Sequence, residues 1–343
     1  MKIIHDNLWG DIELSDLAIQ IIDTPHFQRL HYIKQTGFSY KVFPNSMTTR
    51  FQHSIGVYYV TKTLLQNLLQ NQLELRQELN DRTIELLCIA GLLHDIGHGP
   101  YSHNFDSLLS QWLLDDDPWK HHEYRSCDII RDLCQPNNEY NICISESEIE
   151  FIINRILGIN SQFWYDNLIN NKDTGIDCDK IDYLLRDSLN FGFQIKFDPF
   201  RIFKHIRVIN NELSYCDRIQ DEIITCFLIR NKMNKDIYRH RKITEFEYFY
   251  HKELNQNSKL RQKIIDICKY KKISEFIQLN DYQMIESLNW TPIECRKEKL
   301  DTKNQSKYID LEWHKITRIK FYSKKNPSQN FYIQDWKIIS CFS

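Results

Sequence analysis

His94 and Asp95 stand side by side at the end of an apolar run, Ala90-Gly91-Leu92-Leu93, and are followed by Ile96-Gly97-His98-Gly99-Pro100. A greasy helix that delivers an imidazole and a carboxylate together and then breaks is suited to holding a metal. Divalent transition metals take neutral imidazole nitrogen and carboxylate oxygen, and a catalytic site keeps positions open for water or substrate. His53, in Arg50-Phe51-Gln52-His53-Ser54, is a third candidate ligand. A fourth must come from elsewhere, and the acid-dense stretch Asp177-Cys178-Asp179-Lys180-Ile181-Asp182-Tyr183-Leu184-Leu185-Arg186-Asp187 is the obvious donor. On a helix, Asp179, Tyr183 and Asp187 share one face at i, i+4 and i+8, with Lys180 beside them. That face offers a metal carboxylate, a cation for phosphate, an aromatic hydroxyl and a second acid. Taken alone, the segment reads as a solvated charged helix.

Several helices must position these groups. Residues 54–80 carry Ile55, Tyr58, Val60, Leu64, Leu65, Leu68 and Leu69 at amphipathic spacing, and a second helix over 83–93 ends at the His-Asp pair. Residues 11–35 also show helical spacing, with Asp23-Thr24-Pro25 as a stop and restart. Helical periodicity returns in 123–134, 147–157, 177–189, 219–250 and 258–268. Turn-forming residues mark loops at 115–118, 136–138 and 170–175. Past about residue 300 the pattern changes: 315–322 and 331–339 alternate with β-branched and aromatic residues, which predicts a small strand-rich tail.

The 343 residues, 42% of them apolar, suffice for one large or two smaller cores. Only nine glycines and eight prolines occur, which favours an ordered, mainly α fold. A net charge of −2 predicts no general attraction to nucleic acid or anionic membrane. The one basic run, Lys269-Tyr270-Lys271-Lys272, is short and reads as a solvated helix end, so nucleic-acid binding is possible in principle but unsupported. Ten cysteines without a C-x-x-C argue against a zinc ribbon or redox pair. The opening Met1-Lys2-Ile3-Ile4-His5-Asp6 is no apolar leader, and no run approaches a membrane span. A nuclear or cytoplasmic protein with reduced thiols, not secreted, is expected.

The order His53, His94-Asp95, Asp179 resembles the H…HD…D signature of the HD phosphohydrolase superfamily. Phe27-Gln28-Arg29-Leu30, Tyr32-Ile33-Lys34-Gln35, Val42-Phe43-Pro44, the stretch 93–105 and Gly175-Ile176-Asp177-Cys178 are similar to the sterile-alpha-motif-and-HD-domain dNTP triphosphohydrolases. The resemblance covers roughly residues 3 to 250 and concerns the HD region only, without a sterile alpha motif. It implies a helical HD-domain core over residues 1–255, with a shortened, divergent, small mixed α/β C-terminal region over 256–343.

The resemblance also implies roles. His53, His94, Asp95 and Asp179 become ligands of a divalent transition metal (Fe, Mn or Zn), with Mg accompanying the triphosphate. Arg50, Lys180, Arg230 and Tyr183 match phosphate contacts. Gln35 and Asp187 match groups that bond the 3′-hydroxyl, and Tyr238 the aromatic that crowds the 2′ position. His98, His103 with Asp106, and His122 with Glu123 match acid–base or orienting groups, with His103 the preferred general acid and Asp106 setting its tautomer. The implied reaction converts a dNTP, dGTP among them, to a deoxynucleoside and inorganic triphosphate. The alternatives are another HD nucleotide phosphohydrolase or phosphodiesterase, or a non-catalytic HD protein that binds nucleotides or single strands.

Departures from the family pattern cluster away from the metal. Thr36 stands where Leu is usual and Arg239 where Gln is usual. Asp23, Gln28, Arg201, Arg218 and Arg241 match parts of the sites where GTP and dNTP effectors bind between subunits. However, His31 replaces an Arg, His5 an Asn, Gln220 a Lys, and Asp236 an Arg that meets phosphate. A homo-oligomer follows from the resemblance, with a dimer more secure than an effector-driven tetramer.

Overall fold

The computed structural model describes residues 2–135, 139–140, 142–159, 163–194, 196–288 and 318–332. The expected loop at 136–138 and most of the expected strand at 331–339 lie outside the described residues. Among those described, fourteen α-helices accompany a two-stranded and a four-stranded sheet, so the mainly α reading holds.

The chain begins with an antiparallel hairpin, Lys2–Asp6 against Gly10–Leu14, with Ile4 opposite Ile12. Residues 11–14 are therefore strand rather than helix. Ile12 and Leu14 are buried while Asp11 and Glu13 are exposed, a period of two that a longer helical window had absorbed. The first helix, Asp16–Ile22, starts where Ser15 Oγ accepts the Ala18 N–H. Thr24 then caps Pro25–Gln28, so the stop and restart at residues 23–25 are real.

The Arg50–Asn71 helix is the centre of the fold. It opens where Gln52 Oε1 accepts the Thr49 N–H at 3.1 Å, and it packs against the Asp81–Leu93 and Cys178–Asn190 helices. Its buried stripe includes Ile55, Val57, Tyr58, Val60, Leu64, Leu65 and Leu68. The Asp81–Leu93 helix is buried continuously from Leu86 to Leu93, so the residues that follow it are carried into the interior. Gly56 lets the Arg50–Asn71 and Cys178–Asn190 helices approach closely. A Cβ there would lie 1.9 Å from Asp182 Oδ1 and 2.4 Å from Arg186 Nη2. Both atoms belong to a buried ion pair that cannot swing away, so Gly56→Ala is expected to destabilise the protein by about 1–3 kcal/mol, read as a drop in Tm.

The helical pattern expected over 219–250 divides in two. The Gln220–Met233 helix passes into a π-helical turn, Asn234–Tyr238, and a new helix begins at Arg241 and runs to Gln256. Beyond it, the Ser258–Lys269, Ile273–Phe276 and Asp281–Leu288 helices add Ile264, Ile267, Phe276 and Met284 to the same buried cluster, so the core is continuous across residue 256. The four-stranded sheet joins Ile206–Ile209 and Glu212–Cys216 to Lys320–Ser323 and Asn326–Tyr332, the central pair being parallel. Strand character therefore does return past residue 300. Among the described residues, no helix is long and apolar enough to cross a membrane.

Candidate metal centre and substrate cavity

Three helix ends meet beside one another. His53 sits in the first turn of the Arg50–Asn71 helix, and His94 and Asp95 lie at the C-terminus of Asp81–Leu93. Asp179 lies in the first turn of Cys178–Asn190, whose cap Asp177 accepts the Lys180 N–H. His53 Nε2 is 3.1 Å from Asp179 Oδ1 and 3.4 Å from Asp95 Oδ2. His94 Nε2 is 3.4 Å from Asp95 Oδ1 and 3.5 Å from Asp179 Oδ1. All four expected ligands are thus brought together.

The far side of each imidazole fixes its tautomer. His53 Nδ1 is 2.8 Å from Asp182 Oδ2, and His94 Nδ1 is 2.8 Å from the Gly91 carbonyl. Each Nδ1 donates to an acceptor, so in the neutral ring each Nε2 presents its lone pair inward. Both Nε2 atoms are buried and have no hydrogen-bond partner. Two neutral imidazoles and two carboxylates then face one space, and Arg50 beside Asp95 offsets only one of the two negative charges. Burial opposes protonation of His53, yet the Asp179, Asp182 and Asp95 carboxylates around the ring push its pKa up to about 9, so a metal there competes with a proton for Nε2. Burial would also raise Asp95, but Arg50, His94 and His98 hold it well below the usual carboxylate range. The atoms of His53, His94 and Asp179 lie close enough to share one ion, and with Asp95 3.4 Å from both imidazoles the set fits a divalent transition metal.

Support for the centre comes from residues that sequence reasoning passed over. Asp182 is fully buried and accepts both Arg186 Nε and Nη2 at 2.9 Å, plus the Trp9 indole N–H at 2.6 Å. Arg186 continues to Asp6, 2.8 Å away, in the hairpin. The usable signal was the i,i+4 spacing of Asp182 and Arg186. Nothing in the local sequence ties them to Trp9.

The second group of acid–base candidates lies next to the first. His98 Nε2 is 3.2 Å from Asp95 Oδ1, and its ring stacks on His122 at 3.8 Å. Asp106 Oδ2 is 2.7 Å from His122 Nδ1 but 3.8 Å from His103 Nδ1, and Asp106 also pairs with buried Arg125. The carboxylate expected to orient His103 therefore orients His122 more closely, because the start of the His122–Leu133 helix faces it directly. Glu123 Oε2 stands 3.5 Å from the same ring. His103 is largely exposed. The turn that joins these groups requires Gly97, where a Cβ would lie 2.2 Å from the His122 carbonyl.

A cavity of about 490 Å³ opens over the centre. Its walls include His94, Asp95 and Asp179, His103, His122 and Glu123, and the expected substrate contacts Gln35, Arg50, Lys180, Tyr183, Asp187, Arg230 and Tyr238. Arg50 Nη1 lies 2.5 Å from Asp95 Oδ2, with Nε bonded to Ser102 Oγ and Nη2 to the Gln35 carbonyl. Lys180 Nζ rests on Asp177 at 2.6 Å. The Tyr238 hydroxyl donates to Asp187 Oδ2 at 2.6 Å, and burial pushes the Asp187 pKa up to about 6. Gln35 Oε1 is buried and has no protein partner. Arg230 and Tyr238 reach the cavity from the helix and its π-helical continuation, a local widening that often marks functional sites.

The departures fall around this cavity and away from it. Thr36 lines it and bonds through its hydroxyl to Ser39 and to Ser46, whereas Arg239 is not part of its wall. None of Asp23, Gln28, Arg201, Arg218 and Arg241 lines it. Asp23 pairs with Lys2, Gln28 Nε2 donates to the Ile22 carbonyl, Arg201 pairs with Glu222 and bonds the Arg218 carbonyl, and Arg241 pairs with Glu245. His5 and His31 line a separate cavity of about 450 Å³, where His31 stacks on Phe51 at 3.5 Å. Asp236 is paired with Lys232 at 2.6 Å.

Residues 50–165 match the HD domain family. The chain is 37% identical over 268 residues to the deoxynucleoside triphosphate triphosphohydrolase SAMHD1 of Homo sapiens, covering 70% of this chain and 42% of that protein. It is 32% identical over 289 residues to the SAMHD1 homolog of Dictyostelium discoideum, covering 82% and 53% respectively. It is 36% identical over 259 residues to the putative HD domain-containing protein L394 of Acanthamoeba polyphaga mimivirus, covering 72% and 56%. The chain spans about half the length of these curated relatives.

Proposed function

We propose that this chain, which matches the HD domain over residues 50–165 and is similar over most of its length to deoxynucleoside triphosphate triphosphohydrolases, is a metal-dependent hydrolase that cleaves a dNTP to deoxynucleoside and inorganic triphosphate. The observation that carries the reading is the convergence of two inward-facing imidazole lone pairs with Asp95 and Asp179 at the wall of a cavity rich in phosphate-binding side chains. A divalent transition metal held by His53, His94, Asp95 and Asp179 would polarise a phosphoryl oxygen and lower the pKa of a bound water.

The remaining work falls to the chain's own groups. Phosphoryl transfer is largely positioning and charge neutralisation, and Arg50, Lys180, Arg230 and Tyr183 surround the space a triphosphate with its Mg would fill. Arg50 is held in place by Asp95, Ser102 and the Gln35 carbonyl, so its guanidinium is positioned before substrate arrives. His103, exposed to the cavity, delivers a proton to the leaving 5′ oxygen, while Asp106 keeps His122 oriented beside it. His98 is buried against Asp95 and orients it.

Sugar selection rests on Gln35, Asp187 and Tyr238. The free Gln35 oxygen and the Asp187 carboxylate serve the 3′-hydroxyl, and the Tyr238 ring, pinned by its bond to Asp187, closes the space at the 2′ position. An added 2′-hydroxyl would then lack both room and partner. Tyr238→Ala is expected to raise the GTP-to-dGTP ratio of kcat/KM by roughly ten- to a hundredfold. Competition assays with the two nucleotides measure it. A homodimer with weakened effector control follows from the exchanges at His5, His31, Gln220 and Asp236.

The direct test gives the purified protein Mn or Mg with dGTP, GTP or dGMP. Turnover of dGTP alone, abolished by His94→Ala together with Asp95→Ala, is the expected result. Turnover of dGMP would favour another HD phosphohydrolase, and strand binding without turnover would sink the proposal.

A further inference from the structure

Two loops that bring Gln35, Ser102 and His103 to the cavity have little regular structure of their own. One runs through residues 33–36. The other, 99–103, contains consecutive non-glycine residues at positive φ, Tyr101 at 61° and Ser102 at 59°, with Ser102 ψ at −125°. Such conformations are unfavourable and persist only where the surroundings over-determine them.

Both loops end on one carboxylate from far along the chain. Asp281 opens the Asp281–Leu288 helix and is buried to 4% exposure. Its Oδ2 accepts the Lys34 N–H at 2.8 Å and its Oδ1 accepts the Tyr101 N–H at 2.7 Å. The Tyr101 hydroxyl donates back to the Asp281 carbonyl at 3.2 Å. The circuit closes through Ser102, whose Oγ donates to the Lys34 carbonyl at 2.7 Å and accepts from Arg50 Nε at 2.8 Å. A second strap runs alongside, with Arg29 Nη2 donating to the Leu279 carbonyl at 3.3 Å and to the His98 carbonyl at 2.8 Å.

We propose that Asp281 is a positioning residue for the hydrolytic site, clamping the 33–36 and 99–103 loops so that Gln35, Arg50 and His103 keep register with the metal ligands. The C-terminal helices up to residue 288 then belong to the catalytic unit. The inference rests on the proposed reaction for its catalytic half but not for the clamp itself.

Hydrogen exchange tests the clamp without nucleotide. In the unaltered chain, the Lys34 and Tyr101 amides are expected to be protected like core helix amides, although neither belongs to a helix or strand ladder. Asp281→Asn leaves one acceptor oxygen for two N–H groups. It should speed exchange at these amides by about ten- to a hundredfold while the Arg50–Asn71 helix stays protected. For the catalytic half, kcat for triphosphate release should fall at least about tenfold, with a smaller change in KM. Glu286→Ala, at an exposed position on the same helix, should change neither readout. Loop-like exchange in the unaltered chain, or unchanged exchange in Asp281→Asn, overturns the clamp. Faster exchange with unchanged kcat overturns the positioning role. Absence of turnover in the unaltered chain defeats the proposed reaction instead, and the clamp is then decided by exchange alone.

Discussion

Asp179→Ala is expected to abolish transition-metal binding and to lower turnover by roughly a thousandfold or more, since metal polarisation and water activation supply several kcal/mol. Its thermal stability should stay within about 1 kcal/mol of the unaltered chain. Asp179 is partly exposed and pairs with His53 and His94; with it gone, His53 keeps Asp182 and Asp95 and Lys180 keeps Asp177, so no cation is stranded. Asp95→Ala should remove the same activity and also cost about 3 kcal/mol of stability, because Arg50 would remain buried without its carboxylate. Metal analysis after gel filtration, activity and Tm on the two variants check the contrast. Equal stability losses in both would show that Arg50 does not depend on Asp95.

Asp182→Asn is expected to weaken metal affinity by about 10–100-fold although Asp182 is no ligand in this account. Its carboxylate accepts the His53 Nδ1 proton, and that bond leaves Nε2 free and aims the ring. The same carboxylate neutralises Arg186 through two bonds, so the variant should also lower Tm. Both oxygens accept from Arg186, so in either orientation an amide turns its NH₂ on Arg186, and also on either His53 or the Trp9 indole, all of them donors there. Titration of the metal-free protein with Mn, alongside thermal unfolding, separates the two effects. Unaltered affinity with a lowered Tm would confine Asp182 to a structural role.

Much of the centre was legible because its signals are local. An apolar run that stops at a His-Asp pair, and a histidine in the first turn of another buried helix, announce ligands before any contact is known. The long helices were legible for the same reason, their apolar stripes being repeated over several turns. Asp182 was harder to single out because Asp177, Asp179, Asp182 and Asp187 look alike in one acidic stretch. Their neighbours distinguish them, making Asp177 a helix cap, Asp179 a ligand candidate, Asp182 the support of His53 and the partner of Trp9 from the N-terminal hairpin, and Asp187 the partner of Tyr238. The pairing of Asp106 escaped for a related reason. His103 is three residues away in sequence, yet His122 presents its ring more closely. Asp281 had no local signal, since its partners are backbone amides of two loops that sequence spacing does not bring near it.

Following oxygen tests triphosphate release most directly. With dGTP turned over in ¹⁸O-enriched water, water attack at the α-phosphorus places one labelled oxygen in inorganic triphosphate and none in the deoxynucleoside, read by mass spectrometry and ³¹P NMR. Label in orthophosphate or pyrophosphate, with a deoxynucleoside mono- or diphosphate left behind, would contradict it.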